Sequence, residues 1–244
     1  MNKQHALLFF CAALALTGCS TYVTPSGRAD LSAITSSTMK DSFAAKPAAQ
    51  LPAFIAGVRV QAPAYRSYYT EREGGVYGNG RFSVITAHEI EEASDLDRIS
   101  KLPEVGGLTS LSRLLLPPTL QSDADLREAA ARLKADLLFL YTFDTTFHDS
   151  DKSVALNVIS LGLSPTRKVS VHVTASALVM DTRTGFIYAA LETNEKRVLT
   201  SNAWESRQTA DRARRDAEKA AFKSLIGELE KNWPQVVSRT KRGA

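Results

Sequence analysis

The side chains best suited to metal binding or proton transfer are four histidines: His5, His88, His148 and His172. A zinc or other transition-metal site needs three or four converging ligands, and sequence usually announces them as His or Cys at i, i+3 or i+4. No two of these histidines stand at such a spacing. Asp144, His148, Asp149 and Asp151 form the densest group of ligand types, placed after an apolar run, where a polar loop accounts for them equally well. A periplasmic hydrolase using His148 and nearby acids is the one catalytic reading this group would support. Neither a G-x-S-x-G elbow nor a phosphate-cradling G-x-x-x-x-G-K is present, and Gly78-Asn79-Gly80 lacks a third glycine and precedes a strand. The expectation is therefore a non-enzyme with no catalytic set, no metal and no cofactor. The remaining reactive type is cysteine, represented by Cys11 and Cys19 alone.

Cys19 has a telling setting. Met1-Asn2-Lys3 is a short positive start, and residues 7–16 are an apolar run of about 10, within the range of a secretory signal and short of the ~20 needed to span a bilayer. Leu16-Thr17-Gly18-Cys19 follows directly and resembles the lipobox of bacterial lipoproteins. The resemblance implies cleavage between Gly18 and Cys19, a diacylglycerol thioether on the Cys19 sulfur and an acyl chain such as palmitate on the new amine. Ser20 stands where an aspartate would argue for inner-membrane retention, so the outer membrane is expected, with the protein facing the periplasm. Cys11 leaves with the signal of residues 1–18. No disulfide or thiol nucleophile then remains, and packing alone must hold the domain.

The chain carries 30 basic and 26 acidic residues, a formal charge of +4. That balance argues against a nucleic-acid partner, which would need basic residues massed on one face. Residues 19–52, rich in Ser, Thr, Ala and Pro, read as a flexible tether reaching roughly 30 Å as a coil. A folded domain is expected over residues 53–236, followed by a solvated basic tail over 237–244.

Within the domain, Ala56, Val58, Val60 and Ala62 alternate with more polar neighbours, a strand pattern. A long loop or loose hairpin then carries Tyr65, Tyr68, Tyr69 and Tyr77, aromatic residues of the kind enriched in interface hot spots. They either meet a partner or fold back over the sheet edge. Phe82 to Thr86 suggests a second strand, and His88 to Ser100 a helix stopped by Pro103. Residues 111–116 leave helix and strand open. Ser122 with Asp125 fits a capping box before Leu126, Ala129, Ala130 and Leu133 at helical spacing. Leu137 to Tyr141 is apolar at every position, as in a strand buried on both faces. Val169 to Val179 alternates over a long strand, Asp181-Thr182-Arg183-Thr184-Gly185 turns it, and Phe186 to Leu191 returns. A closing helix over residues 204–233 carries the stripe Phe222, Leu225, Ile226, Leu229 and Trp233. Its charges, including Asp211, Arg214 and Glu218, suit a solvated face with i,i+4 pairs.

Two stretches carry a family likeness. Residues 126–138 resemble the helix-then-strand unit of the curli-secretion lipoprotein family and its relatives, the outer-membrane activators of peptidoglycan synthases and the amino-terminal domain of the TolB translocation protein. Residues 179–188 resemble the strand–D-T-x-T-G–strand segment of those domains, and a carboxy-terminal helix follows in both. The order of elements is also similar to that of rhombotarget lipoproteins, whose terminal glycine-rich segment this chain lacks. The resemblance implies one α/β (α+β) domain, a mixed β-sheet flanked by helices with a long carboxy-terminal helix. It also implies a module that works by contact: a membrane-anchored, non-catalytic accessory or scaffold binding another envelope protein in assembly, secretion or wall synthesis. Self-association into an outer-membrane export pore is the alternative, and would require lipid-facing alternation over about 9–11 residues in neighbouring strands.

Overall fold

The computed structural model describes residues 25, 27–35, 37–149, 167–201 and 207–243. Its centre is strand β1 (Ala53–Gln61), which is buried on both faces. Parallel to one side of β1 runs β7 (Leu137–Asp149), with Ile55 to Val58 paired to Leu137 to Leu140. β7 opens an antiparallel meander with β8 (Arg167–Asp181) and β9 (Ile187–Ser201). On its other side β1 changes partner midway. β5 (Val105–Ser110) runs parallel to Phe54–Gly57, while β4 (Ser83–Ile85) is antiparallel to Arg59–Gln61 and carries β2 (Val76–Tyr77) beyond it. β3 (Asn79–Gly80) and β6 (Thr119–Leu120) form a separate small parallel pair. The mixed sheet, flanking helices and single domain agree with the sequence reading.

Each sheet face has its own core. Ile55, Phe139, Tyr141, Phe143 and the inward valines of β8 pack under helix α6 (Arg207–Gly243) and α4 (Ala93–Ser100). The stripe expected on α6 is correct: Phe222, Leu225, Ile226, Leu229 and Trp233 are all buried. On the opposite face Ala56, Val58, Leu138 and Leu140 lie beneath helix α5 (Asp123–Arg132), whose Ser122–Asp125 capping box forms as expected. Between β8 and β9, Gly185 takes a φ of 73°, a left-handed turn that glycine enters without a Cβ clash. Asp181 organises this corner. Its Oδ1 accepts from the Arg183 and Thr184 amides at 2.8 and 3.0 Å, and its Oδ2 accepts from the Ala48 amide and the Tyr188 hydroxyl at 2.7 and 2.9 Å.

Four expectations need correction. The tether of residues 19–52 is not free along its length, because Pro25, Ala29, Ile34 and Ala49 are buried in the domain. Ala29 donates to Thr142 Oγ1 at 3.0 Å, Arg28 bridges Gln61, and Asp30 caps α1 (Leu31–Ile34). A second short helix, α2 (Met39–Ala44), follows with Thr38 as its cap. Such local side-chain caps leave no periodicity to detect in a Ser/Thr-rich stretch. The tyrosine loop contains helix α3 (Tyr68–Glu73), started by a Ser67–Thr70 capping box. Strand β7 continues through residues 142–149, where pairing with β8 supplies the ladder and Phe143 and Phe147 still pack on the core. The basic tail is helical too: packing of Trp233, Val236 and Thr240 holds α6 through Pro234, and Arg239 donates to the Tyr188 carbonyl at 2.8 Å.

Candidate functional site

Because β1 passes from β5 to β4 at Val58, the two neighbours diverge there and leave a notch in the sheet. The notch opens a cavity of about 350 Å³ on the α6 face. Gly57 lies on its floor, Phe139, Tyr141 and Phe222 form an aromatic wall, and Leu96 and Ile99 of α4 add aliphatic surface. Its polar lining includes Arg59, His88 and Glu91, with Thr86, Thr109, Ser110, Ser112 and Arg113 around them.

Arg59 belongs to a buried ion cluster. Its side chain is 1% exposed, and Nη2 donates to Glu218 Oε2 at 3.1 Å. Arg214 of α6 is fully buried and reaches three carboxylates: Glu89 at 2.9 Å, Asp211 at 3.0 Å and Glu218 at 2.6 Å. Thr145 donates to the remaining Glu218 oxygen at 2.8 Å. Burial opposes the charge on each arginine, yet Tyr65 and the surrounding carboxylates outweigh it and raise both arginines above their ordinary range. Burial likewise raises Glu89, with Arg214 and Arg59 pulling in the opposite direction. The charges read as a solvated face are thus a correction: Asp211, Arg214 and Glu218 are buried. Their spacing is that of exposed helix pairs, and only their distant partners Arg59 and Glu89 distinguish them. Arg59 and Gln61, polar residues within an apolar strand, were the available clue.

Tyr65 is also buried, at 2% exposure, so it is not part of an exposed contact face. Arg59 and Arg214 both donate to its hydroxyl, at 3.4 and 3.3 Å. Tyr68, Tyr69 and Tyr77 are half-buried. Arg72 donates to the Tyr68 hydroxyl, Arg215 lies 5.3 Å above the Tyr69 ring, and Tyr77 donates to the Leu116 carbonyl. Folding back therefore describes Tyr65, while the other three retain exposed surface. Gly18 and Cys19 lie outside the described residues.

The structure separates the acids around His148 from the cavity. Asp144 and His148 sit on β7, and the His148 ring stands 4.7 Å from that of His172 on β8, a cross-strand neighbour that spacing along the chain could not show. Burial and the nearby His148 lower the His172 pKa. Asp151 lies outside the described residues. Among those described, no three His, Cys, Asp or Glu side chains are placed to hold a metal ion, and no helix is long and apolar enough to cross a membrane.

No family model matches the chain. No curated protein matches it either. Solved structures give distant likenesses. A Caulobacter crescentus protein described as a lipoprotein aligns at 11% identity over 48% of this chain and 77% of its own, with a TM-score of 0.26. A Xanthomonas campestris protein aligns at 9% identity over 80% and 91% with a TM-score of 0.36. A Helicobacter pylori homologue of neuraminyllactose-binding hemagglutinin aligns at 10% identity over 80% and 94% with a TM-score of 0.35. At these TM-scores the likenesses carry no functional argument.

Proposed function

We propose that this chain is a lipid-anchored envelope protein, tethered to the outer membrane through Cys19, that acts by binding another envelope protein and not by catalysis. The observation supporting this most strongly is the joining of the L-T-G-C string to a domain that starts almost at once. Cys19 precedes the buried Pro25 by six residues, which span at most about 20 Å when fully extended. The module is therefore held close to the bilayer, in place of the roughly 30 Å reach that a free tether would allow. A short leash suits a partner embedded in, or lying against, the same membrane.

The partly exposed Tyr68, Tyr69 and Tyr77 are the proposed contact, since aromatic residues at a protein surface favour interface anchoring. Non-catalytic action is supported by the cluster at the domain centre, whose arginines and carboxylates mostly engage one another. The accessory reading is preferred to the pore because Ser170, His172, Thr174 and Ser176 on the outward face of β8 are polar and α6 packs on the inward face.

A photo-crosslinking residue placed at Tyr69 in cells should give a discrete adduct with one envelope protein. That adduct should be missing at Glu192, on the exposed face of β9, and should weaken in a Cys19→Ser variant. Equal adducts at both positions, or none at Tyr68, Tyr69 and Tyr77, would remove the basis for this contact.

A further inference from the structure

The cavity at the β1 notch has chemistry that the binding reading does not use. Two polar groups on its wall are buried yet lack hydrogen-bond partners. They are Arg59, at Nε and Nη1, and Glu91, at Oε2. The Arg59 Nη1 atom lies 3.5 Å from Glu89, an ion pair without a hydrogen bond, and the Arg59 side chain is 99% removed from solvent. The Glu91 side chain is 2% exposed. Its Oε1 accepts from the Tyr141 hydroxyl at 2.7 Å, while Oε2 has only His88 at 3.9 Å. Buried charged groups with unmade hydrogen bonds carry a desolvation penalty that an occupant of the cavity would relieve. Glu89 Oε1 likewise lacks a hydrogen bond and stands opposite Arg59 Nη1, so the donor left over is Arg59 Nε and the acceptor left over is Glu91 Oε2.

The rest of the lining mixes apolar side chains with Thr86, Thr109, Ser110, Ser112 and Arg113. Phe139, Phe222, Leu96 and Ile99 line the same space of about 350 Å³, at the small end of ligand pockets. Gly57 keeps the floor open: a Cβ there would meet nothing nearer than the Thr109 carbonyl oxygen at 3.9 Å. Its φ lies outside the left-handed region, so backbone conformation does not require glycine, and the missing side chain leaves volume for an occupant.

We propose that this cavity binds a small zwitterion of the amino-acid type with an apolar side chain. Its carboxylate would accept from Arg59, its ammonium would donate to Glu91, and its side chain would lie against Phe139 and Phe222. A ligand bearing only a cation would meet the Arg59 charge, and one bearing only an anion would meet Glu91. A zwitterion satisfies both and adds no net charge to the buried region. The inference is independent of the membrane anchor and of any protein partner.

The test is calorimetric titration of the full chain in detergent with L-phenylalanine, L-phenylalaninamide and N-acetyl-L-phenylalanine. The zwitterion should bind, and each capped analogue should bind at least about tenfold more weakly, the equivalent of 1.4 kcal/mol. L-Alanyl-L-phenylalanine separates a free amino acid from a peptide source by which of the two binds tighter. Gly57→Leu should abolish binding while its melting transition persists, and Glu91→Gln should weaken it about tenfold. No binding of either zwitterion up to about 10 mM, equal binding of the capped analogues, or full binding by Gly57→Leu would overturn the proposal.

Discussion

Replacing Arg214 by alanine is expected to destabilise the domain by about 3–5 kcal/mol, the range for removing one partner of a buried ion pair. The guanidinium is fully buried and contacts Glu89, Asp211 and Glu218 at 2.6–3.0 Å. Truncation would take the nearest cation from three buried carboxylates, two of them on α6 and one in the segment after β4, leaving them only the longer contacts to Arg59 and Arg215. Domains of this kind are typically stable by only about 5–15 kcal/mol, so such a loss removes a large share of the total. Arg214→Lys should recover little, because one ammonium cannot serve three carboxylates approaching from different directions. Denaturant unfolding monitored by tryptophan fluorescence, to which the buried Trp233 contributes, measures this directly. A loss under about 1 kcal/mol would mean that water or neighbouring cations readily replace the guanidinium.

The second large effect is alkaline. Burial, with the Glu218 charge second, pushes the Tyr65 hydroxyl up to about 12, and burial with Asp181 does the same for Tyr188. Burial and Glu91 raise Tyr141 well above its ordinary range. Each group keeps its proton more tightly folded than unfolded. The associated stability is therefore fully present below pH ~10 and is lost as pH rises through the folded values, which are near 12 for Tyr65 and Tyr188. For Tyr65 a rise from 10.0 to about 12 corresponds to about 3 kcal/mol. Melting temperature should fall steeply between pH ~10 and ~12. Absorbance at a tyrosinate wavelength should show these three residues ionising together with unfolding. Tyr65→Phe should flatten its share of the decline. Ionisation of all tyrosines near pH ~10 in the folded protein would contradict the burial described.

How much was legible in the sequence depended on whether a signal was local. The α5 capping box, the apolar start of β7, the Asp181–Gly185 turn and the α6 stripe are each written within a few residues, and each was read correctly. The ion cluster was not, because Asp211, Arg214 and Glu218 obey the same i,i+3 and i,i+4 spacing as a surface helix. What marks them as buried is Arg59, more than 150 positions away in β1. The cavity was illegible for the same reason, since it exists only where β5 and β4 share one strand. Asp144 and His148 were recognisable as ligand types, but the neighbour that approaches His148, His172, comes from the next strand. The amino-terminal segment misled through composition, because Ser, Thr and Ala that would suit a linker also cap short helices and fill small gaps against a sheet.

A lipid on Cys19 would hold this domain within about 20 Å of a membrane. The most direct measurement is the intact mass of the protein extracted from membranes of cells producing the full chain. The expected species is a polypeptide beginning at Cys19 with a diacylglyceryl group and a further acyl chain attached, and it should disappear from that fraction in Cys19→Ser. An unlipidated chain, retaining residues 1–18 or cleaved at another position, would contradict it.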